Sequence, residues 1–363
     1  MVARPPLIRD LNQALLLAYL RARRLASRSQ IQAEMGFSKA TLNAILKELL
    51  TLGLVREERG PGGGTGRPAR QLSLNPEAAY GVAAVLEPGG LKGAWVDFQG
   101  EIRGYHRVAL RERTFSEVLE GLDGLLQQVK SSVAYPDRLA ALAVAVPGSV
   151  DQEGRIRLSV KMPILEGLAL AAFLAERYDL PTYVENDAKL AALGEKWAGD
   201  ATGYKNLAFL MVKEGVGAGI ILNDRLQRGT RGLAGEVGYL LVESDGEVIS
   251  LEEALVTSRL EVLNLSPDSQ AEENSLNRYA FHLTQVIIAL TAVADLEAIF
   301  LDIEPQEWLP TLLERVGKFL MKTPYALELR PSRLSGEAPL YGAIALALGQ
   351  TFEASLLGLR NRR

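Results

Sequence analysis

The chain has 363 residues, 48% of them apolar and 23% charged, with a formal net charge of −4 and no cysteine. That composition fits a soluble globular protein of two or three domains and excludes disulfides, thiol catalysis and thiolate metal sites. No apolar run approaches the roughly 18 residues that span a bilayer, and Met1-Val2-Ala3-Arg4-Pro5-Pro6 lacks the core of a signal peptide, so a cytoplasmic protein without membrane contact is expected.

The charge is unevenly placed. Residues 1–76 hold twelve Lys or Arg against five Asp or Glu, about +7, which leaves about −11 for the rest. A basic head on an acidic body points to a polyanionic partner for the head alone. Within it, Leu11 to Leu20 reads as a helix closed by Arg21, Arg23 and Arg24. A shorter helix starts at the capping residue Ser29 and stops at Gly36. Ser38 caps a third, Lys39 to Leu52, whose Leu42, Ile45, Leu46, Leu49 and Leu50 recur at helical spacing and face inward. This is the helix-turn-helix order, with the third helix placed to enter a major groove. Its remaining faces carry Lys39, Thr41, Asn43 and Lys47, and with Ser38 these are the candidate DNA contacts: an amide reads adenine, a Thr methyl touches thymine. Strands at 54–57 and 71–74 flank a Gly-rich wing in which Gly66-Arg67-Pro68 and Arg70 suit a narrow minor groove.

From Asn75-Pro76 a second domain, 77–363, begins. Strands are expected at 80–86, 91–98 and 102–110, with Gln99-Gly100 as a turn, then a helix through Phe115, Val118, Leu122, Leu125 and Val129 and a strand at 139–146. A helix at 168–178 leads to the strand Thr182 to Glu185 and a helix over 188–197. The layout restarts at Asn206: strands at 207–212 and 218–222 joined through a Gly215-Val216-Gly217 turn, helices near 251–263 and 271–295, a strand at 298–302, and a last helix near 342–357. His106 and His282 are isolated in sequence and read as packing or surface residues.

Three motifs stand out in the body: Val184-Glu185-Asn186-Asp187, the glycine-dense 213–221, and Ala234-Gly235-Glu236-Val237-Gly238. Together they resemble the sugar site of the ROK family (repressors, open reading frames, kinases). The resemblance implies a two-lobed actin-like (ribonuclease H-like) α/β body behind a winged helix-turn-helix, and ROK repressors carry a similar Gly-Arg-Pro wing. It also implies sugar hydroxyls held by Asn186, Asp187 and Glu236, with Glu252 as a further contact in the family's Leu-Glu step. In the family's kinases the Asp at position 187 is the general base.

Departures from the pattern argue against catalysis. The kinase phosphate turn, Asp-x-Gly-Gly-Thr, falls on Val85-Leu86-Glu87-Pro88-Gly89, where Pro88 removes an amide donor and Glu87 repels phosphate. The family's later Gly-Gly is replaced by Leu301-Asp302-Ile303-Glu304. Its zinc site is lost as well: Tyr239 stands for the His, and a hairpin around Asp245-Gly246 replaces the Cys loop. The expectation is therefore a transcriptional regulator, a repressor of sugar-metabolism genes, with no catalytic residue, no ATP and no metal. Its partners are double-stranded operator DNA, a sugar or sugar phosphate, and a second copy in a homodimer or homotetramer. A sugar kinase with an atypical turn, and a regulator whose body is a ligand-free dimerisation or protein-binding scaffold, are the alternatives.

Overall fold

The computed structural model describes residues 5–59, 70–264 and 269–361. The head comprises α1 (Pro5–Arg23), β1 (Ala26–Ser27), α2 (Arg28–Met35), α3 (Lys39–Thr51), β2 (Val55–Arg59) and β3 (Arg70–Leu74), with sheet order β1-β3-β2. The second helix starts two residues earlier than expected. Ser27, not Ser29, is its cap, in a reciprocal pair with Gln30: Gln30 N donates to Ser27 Oγ, and Gln30 Oε1 accepts from Ser27 N. Leu16, Leu17, Leu20, Ile31, Leu42, Leu46 and Leu49 form the head's core, and burying each such side chain stabilises by roughly 1.5–3 kcal/mol.

The first lobe holds β4 (Tyr80–Glu87), β5 (Gly90–Asp97), β6 (Ile102–Ala109), α4 (Phe115–Ser132), β7 (Leu139–Val146), β8 (Ser149–Val150), β9 (Ile156–Leu158), α5 (Leu170–Tyr178), β10 (Thr182–Asn186) and α6 (Asp187–Ala198). The second holds β11 (Leu207–Val212), β12 (Val216–Leu222), β13 (Arg225–Gln227), β14 (Leu241–Ser244), β15 (Glu247–Ser250), α7 (Leu251–Asn264), α8 (Gln270–Ala294), β16 (Ala298–Ile303), α9 (Leu309–Leu320), β17 (Glu328–Pro331) and α10 (Ala338–Asn361).

The two main sheets run β10-β7-β4-β5-β6 and β13-β12-β11-β16-β17. In each, an antiparallel meander of three strands is extended by two parallel strands next to its first member. This repeated topology is the two-lobed actin-like body. Strands β4, β7, β11 and β16 are almost wholly buried, as strands covered on both faces must be.

Helices α6 and α10 pack between the lobes. A Cβ on Gly342 would lie 1.7 Å from the Leu190 carbonyl oxygen and one on Gly194 2.1 Å from that of Ala338, so both crossing points exclude any side chain. The expected Gly215-Val216-Gly217 turn is corrected here: Val216 and Gly217 already lie on β12. Its glycines serve close packing, since a Cβ on Gly219 would sit 2.4 Å from Ala188 O at the start of α6.

Candidate ligand pocket and nucleic-acid interface

On α3 the buried Leu42, Ile45, Leu46 and Leu49 leave Lys39, Asn43 and Lys47 on the exposed side. Ser38 caps the helix: its Oγ accepts from Thr41 N at 3.0 Å and lies 2.8 Å from Thr41 Oγ1. Asn43 Oδ1 accepts from Arg28 at 2.9 Å, and Arg70 donates to Glu57 at 2.5 Å. Four of the expected DNA contacts, Ser38, Thr41, Asn43 and Arg70, thus already carry internal partners. Arg67 lies outside the described residues.

The body's expected site residues come together. Asn186, Asp187, Glu236 and Glu252 line one open-mouthed cleft between the lobes, with Ser149, Lys161, Gly215 and Tyr239. Asp187 arrives there because β10 ends and α6 begins at the cleft. Asn186 is the cap of α6: its Oδ1 accepts from Lys189 N at 3.0 Å, while Nδ2 donates to Gly148 O and Asp187 Oδ1, both at 3.1 Å. Both amide protons are committed, so Asn186 mainly orients Asp187. The Asp187 carboxylate also accepts from Ala188 N at 2.8 Å.

Glu236 is placed by Gly235, whose φ of +86° and carbonyl bond to Ala218 N at 2.8 Å tie the loop to β12. Its carboxylate has no hydrogen-bond donor among the described residues; the nearest cation is Lys189 Nζ at 3.9 Å. Glu252, on the first turn of α7, accepts from Val216 N at 2.9 Å on one carboxylate oxygen.

Crowding three carboxylates into one cleft has an electrostatic signature. Burial raises the Asp187 pKa above the usual carboxylate range, opposed by Lys161 and Lys213. Burial likewise raises that of Glu236, opposed by Lys189 and reinforced by Asp187 and Glu252. Lys189, fully buried, donates to Gly232 O at 2.6 Å, and burial lowers its pKa against the pull of Glu185, Glu236 and Asp187. The arrangement offers a ligand several hydroxyl acceptors, with Lys161 and the buried Ser149 hydroxyl as donors. Ser149 Oγ has no hydrogen-bond partner among the described residues.

Residues 87–250 match the ROK family, and residues 9–64 match the MarR family. The chain carries a ROK family domain behind a MarR-type winged-helix domain. The chain is 24% identical to the xylose repressor of Bacillus subtilis (strain 168) over 378 residues, covering 96% of this chain and 97% of that one. It is 27% identical over 244 residues to the N-acetylglucosamine repressor of Escherichia coli O6:H1, covering 66% and 60%. Among solved structures, a ROK family transcriptional regulator described as a homolog of the E. coli MLC protein superposes with a TM-score of 0.79 at 21% identity, over 97% of this chain and 98% of that one. The ROK hexokinase of Thermus thermophilus follows at 0.62 and 25% identity, over 78% and 99%. The ROK body is thus shared with sugar kinases.

Where the kinase phosphate turn was expected, the ROK domain has a tight hairpin at Pro88-Gly89, with Glu87 opposite Gly90. Lys92 joins Glu87 at 2.8 Å and Glu337 at 3.5 Å, and Arg107 joins Glu337 at 2.8 Å. In the second lobe Lys213 pairs with the buried Asp302 at 2.9 Å. The hairpin expected in place of the Cys loop is β14–β15, turning at Asp245-Gly246, and Tyr239 precedes it. Sequence reasoning missed Ser149, Lys161 and Lys189. The signal for Lys189 was its setting, because Ala188, Leu190, Ala191 and Ala192 around it leave α6 no polar face there.

Proposed function

We propose that this chain is a cytoplasmic DNA-binding transcriptional repressor whose ROK body binds a sugar or sugar phosphate and does not phosphorylate it. The observation that carries the reading is the convergence of Asp187, Glu236 and Glu252, from three separate stretches of chain, on one cleft behind a winged-helix head. Ionised acceptors hold sugar hydroxyls strongly, and a buried polar set rejects ligands that lack the partner group. The head, residues 1–76, binds operator duplex through Ser38, Lys39, Thr41, Asn43, Lys47, Arg67 and Arg70. Relatives that run the length of the chain are named xylose repressors, which supports both the repression and the carbohydrate effector.

Working without ATP or zinc belongs to the same proposal. Glu87 and Glu337 put carboxylates where a nucleotide's phosphates would need donors, and Pro88 has no amide to offer. A chain without cysteine does not supply the family's thiolates, and among the described residues no group of three or more His, Cys, Asp or Glu is arranged to hold a metal ion. Asp187 then serves as an acceptor. A homodimer or homotetramer places two heads on an imperfect palindrome.

A thermal-melt panel of pentoses, hexoses, amino sugars and their phosphates tests this on wild type and Asp187→Ala. One of them, at about a hundredfold excess over its Kd, stabilises the wild type by roughly 2.7 kcal/mol and leaves the variant unmoved. If none acts, the body is a scaffold; if ATP is consumed with a sugar, it is a kinase.

A further inference from the structure

The head contains a cluster that the expected DNA contacts only partly include. Arg28, the first residue of α2, donates from one terminal nitrogen to Asn43 Oδ1 at 2.9 Å and from the other to Glu57 Oε1 at 2.8 Å. Glu57, on β2, accepts from Arg70 on its second oxygen at 2.5 Å. One guanidinium therefore ties the exposed face of the recognition helix to the wing. One carboxylate in turn fixes a second guanidinium at the wing's base. The side chains of Arg28 and Arg70 are 44% and 69% exposed, whereas that of Glu57 is 21% exposed, so the charges presented outward are the two cations.

We propose that Arg28 is a DNA-backbone contact, forming with Arg70 a phosphate clamp between the recognition helix and the wing that Glu57 holds in position. The proposal rests on the DNA-binding reading of the head. Three features support it. Arg28 is bonded to Asn43, so whatever strand runs past the exposed face of α3 also passes this guanidinium. Its planar fork spends one hydrogen on each of two partners and retains its Nε proton and two terminal protons, enough for a bidentate phosphate contact. The two hydrogen bonds from Arg28 and Arg70 also hold the Glu57 carboxyl below the usual range, so it remains a fixed anion that aims both cations. The bridge has a consequence for base reading. With Oδ1 engaged by Arg28, Asn43 presents its amide protons outward, which suits an acceptor edge better than the two-sided contact with adenine.

The test is the salt dependence of binding to a generic 30-base-pair duplex, followed by fluorescence anisotropy with the full chain. Each phosphate contact contributes roughly 0.9 to the slope of log K against log salt concentration. Arg28→Gln should make the slope less negative by about that amount, and Arg28→Lys should restore it. Lys318→Ala, which removes an exposed cation from α9 in the second lobe, should leave it unchanged. Unshifted melting temperatures confirm that the variants fold. A slope for Arg28→Gln equal to that of wild type overturns the clamp. A wild type that binds no duplex overturns the DNA-binding reading itself.

Discussion

Asp187 and Glu236 show how a binding site costs stability. Each has a raised pKa in the folded chain, with burial as the largest cause. A carboxyl with a raised folded pKa binds more protons folded than unfolded across that window. Its contribution to stability is therefore fully present below the ordinary carboxylate value and is lost as pH rises through the raised one. At neutral pH both ionised groups strain the fold. Asp187→Asn should accordingly raise the melting temperature at pH 7, and the gain should shrink as pH is lowered towards 4. A variant that melts below wild type at pH 7 would show that Lys161 and Lys213 outweigh burial. Affinity for the effector should move the opposite way from stability, weakening as acid protonates the acceptors. Asp187, Glu236 and Glu252 were legible in sequence because each sits in a short motif beside glycine or at a strand end. Lys189 was passed over, since a lone lysine on a helix ordinarily reads as solvated, although its apolar neighbours on α6 were a signal. Only the packing of β12 and the 228–236 loop over α6 buries it.

At the scale of elements, most long periodic segments and the β14–β15 hairpin were read correctly, while helix α9 and the short strands β13 and β17 were missed. β4, β5, β7, β11 and α8 carry continuous apolar or helical patterns that survive without context. β13, Arg-Leu-Gln, and β17, Glu-Leu-Arg-Pro, have none. They are strands because β12 and β16 offer them an edge. Gly217 of β12 was recognised but misassigned to a turn, since a sequence does not distinguish a glycine needed for bending from one needed for contact. Contact glycines predict a reversal of an ordinary rule. In an exposed helix Gly→Ala stabilises by about 0.5–1 kcal/mol. Gly342→Ala in α10 instead sets a methyl 1.7 Å from Leu190 O and should destabilise by roughly 1–3 kcal/mol, read as a lower urea midpoint at unchanged m-value. A raised midpoint would mean that α6 and α10 can part freely.

Across the whole molecule the pocket and the head are joined by the same two helices. α6 starts at Asp187, α10 crosses it at Gly194 and Gly342, and Phe352 near the far end of α10 meets Phe98 with ring centroids 4.4 Å apart and Arg21 at 5.4 Å. Arg24 binds the carbonyl of Gln99 at 2.8 Å and pairs with Glu101, and Gln99 reaches Leu74 O at 2.6 Å. The head thus rests on the 97–101 turn and on α10 rather than hanging from a linker. A ligand that draws Asp187, Glu236 and Glu252 together acts at the root of this contact. Its effect on DNA is limited to its differential affinity for the two head arrangements. The most direct measurement of that link is the Kd for a duplex selected from random sequence, with and without the sugar that stabilises the wild type, for wild type and Asp187→Ala. A coupled sensor weakens wild-type binding at least about tenfold, roughly 1.4 kcal/mol of coupling, and leaves the variant unchanged. A sugar that stabilises the body yet leaves the wild-type Kd for DNA unaltered would contradict the account.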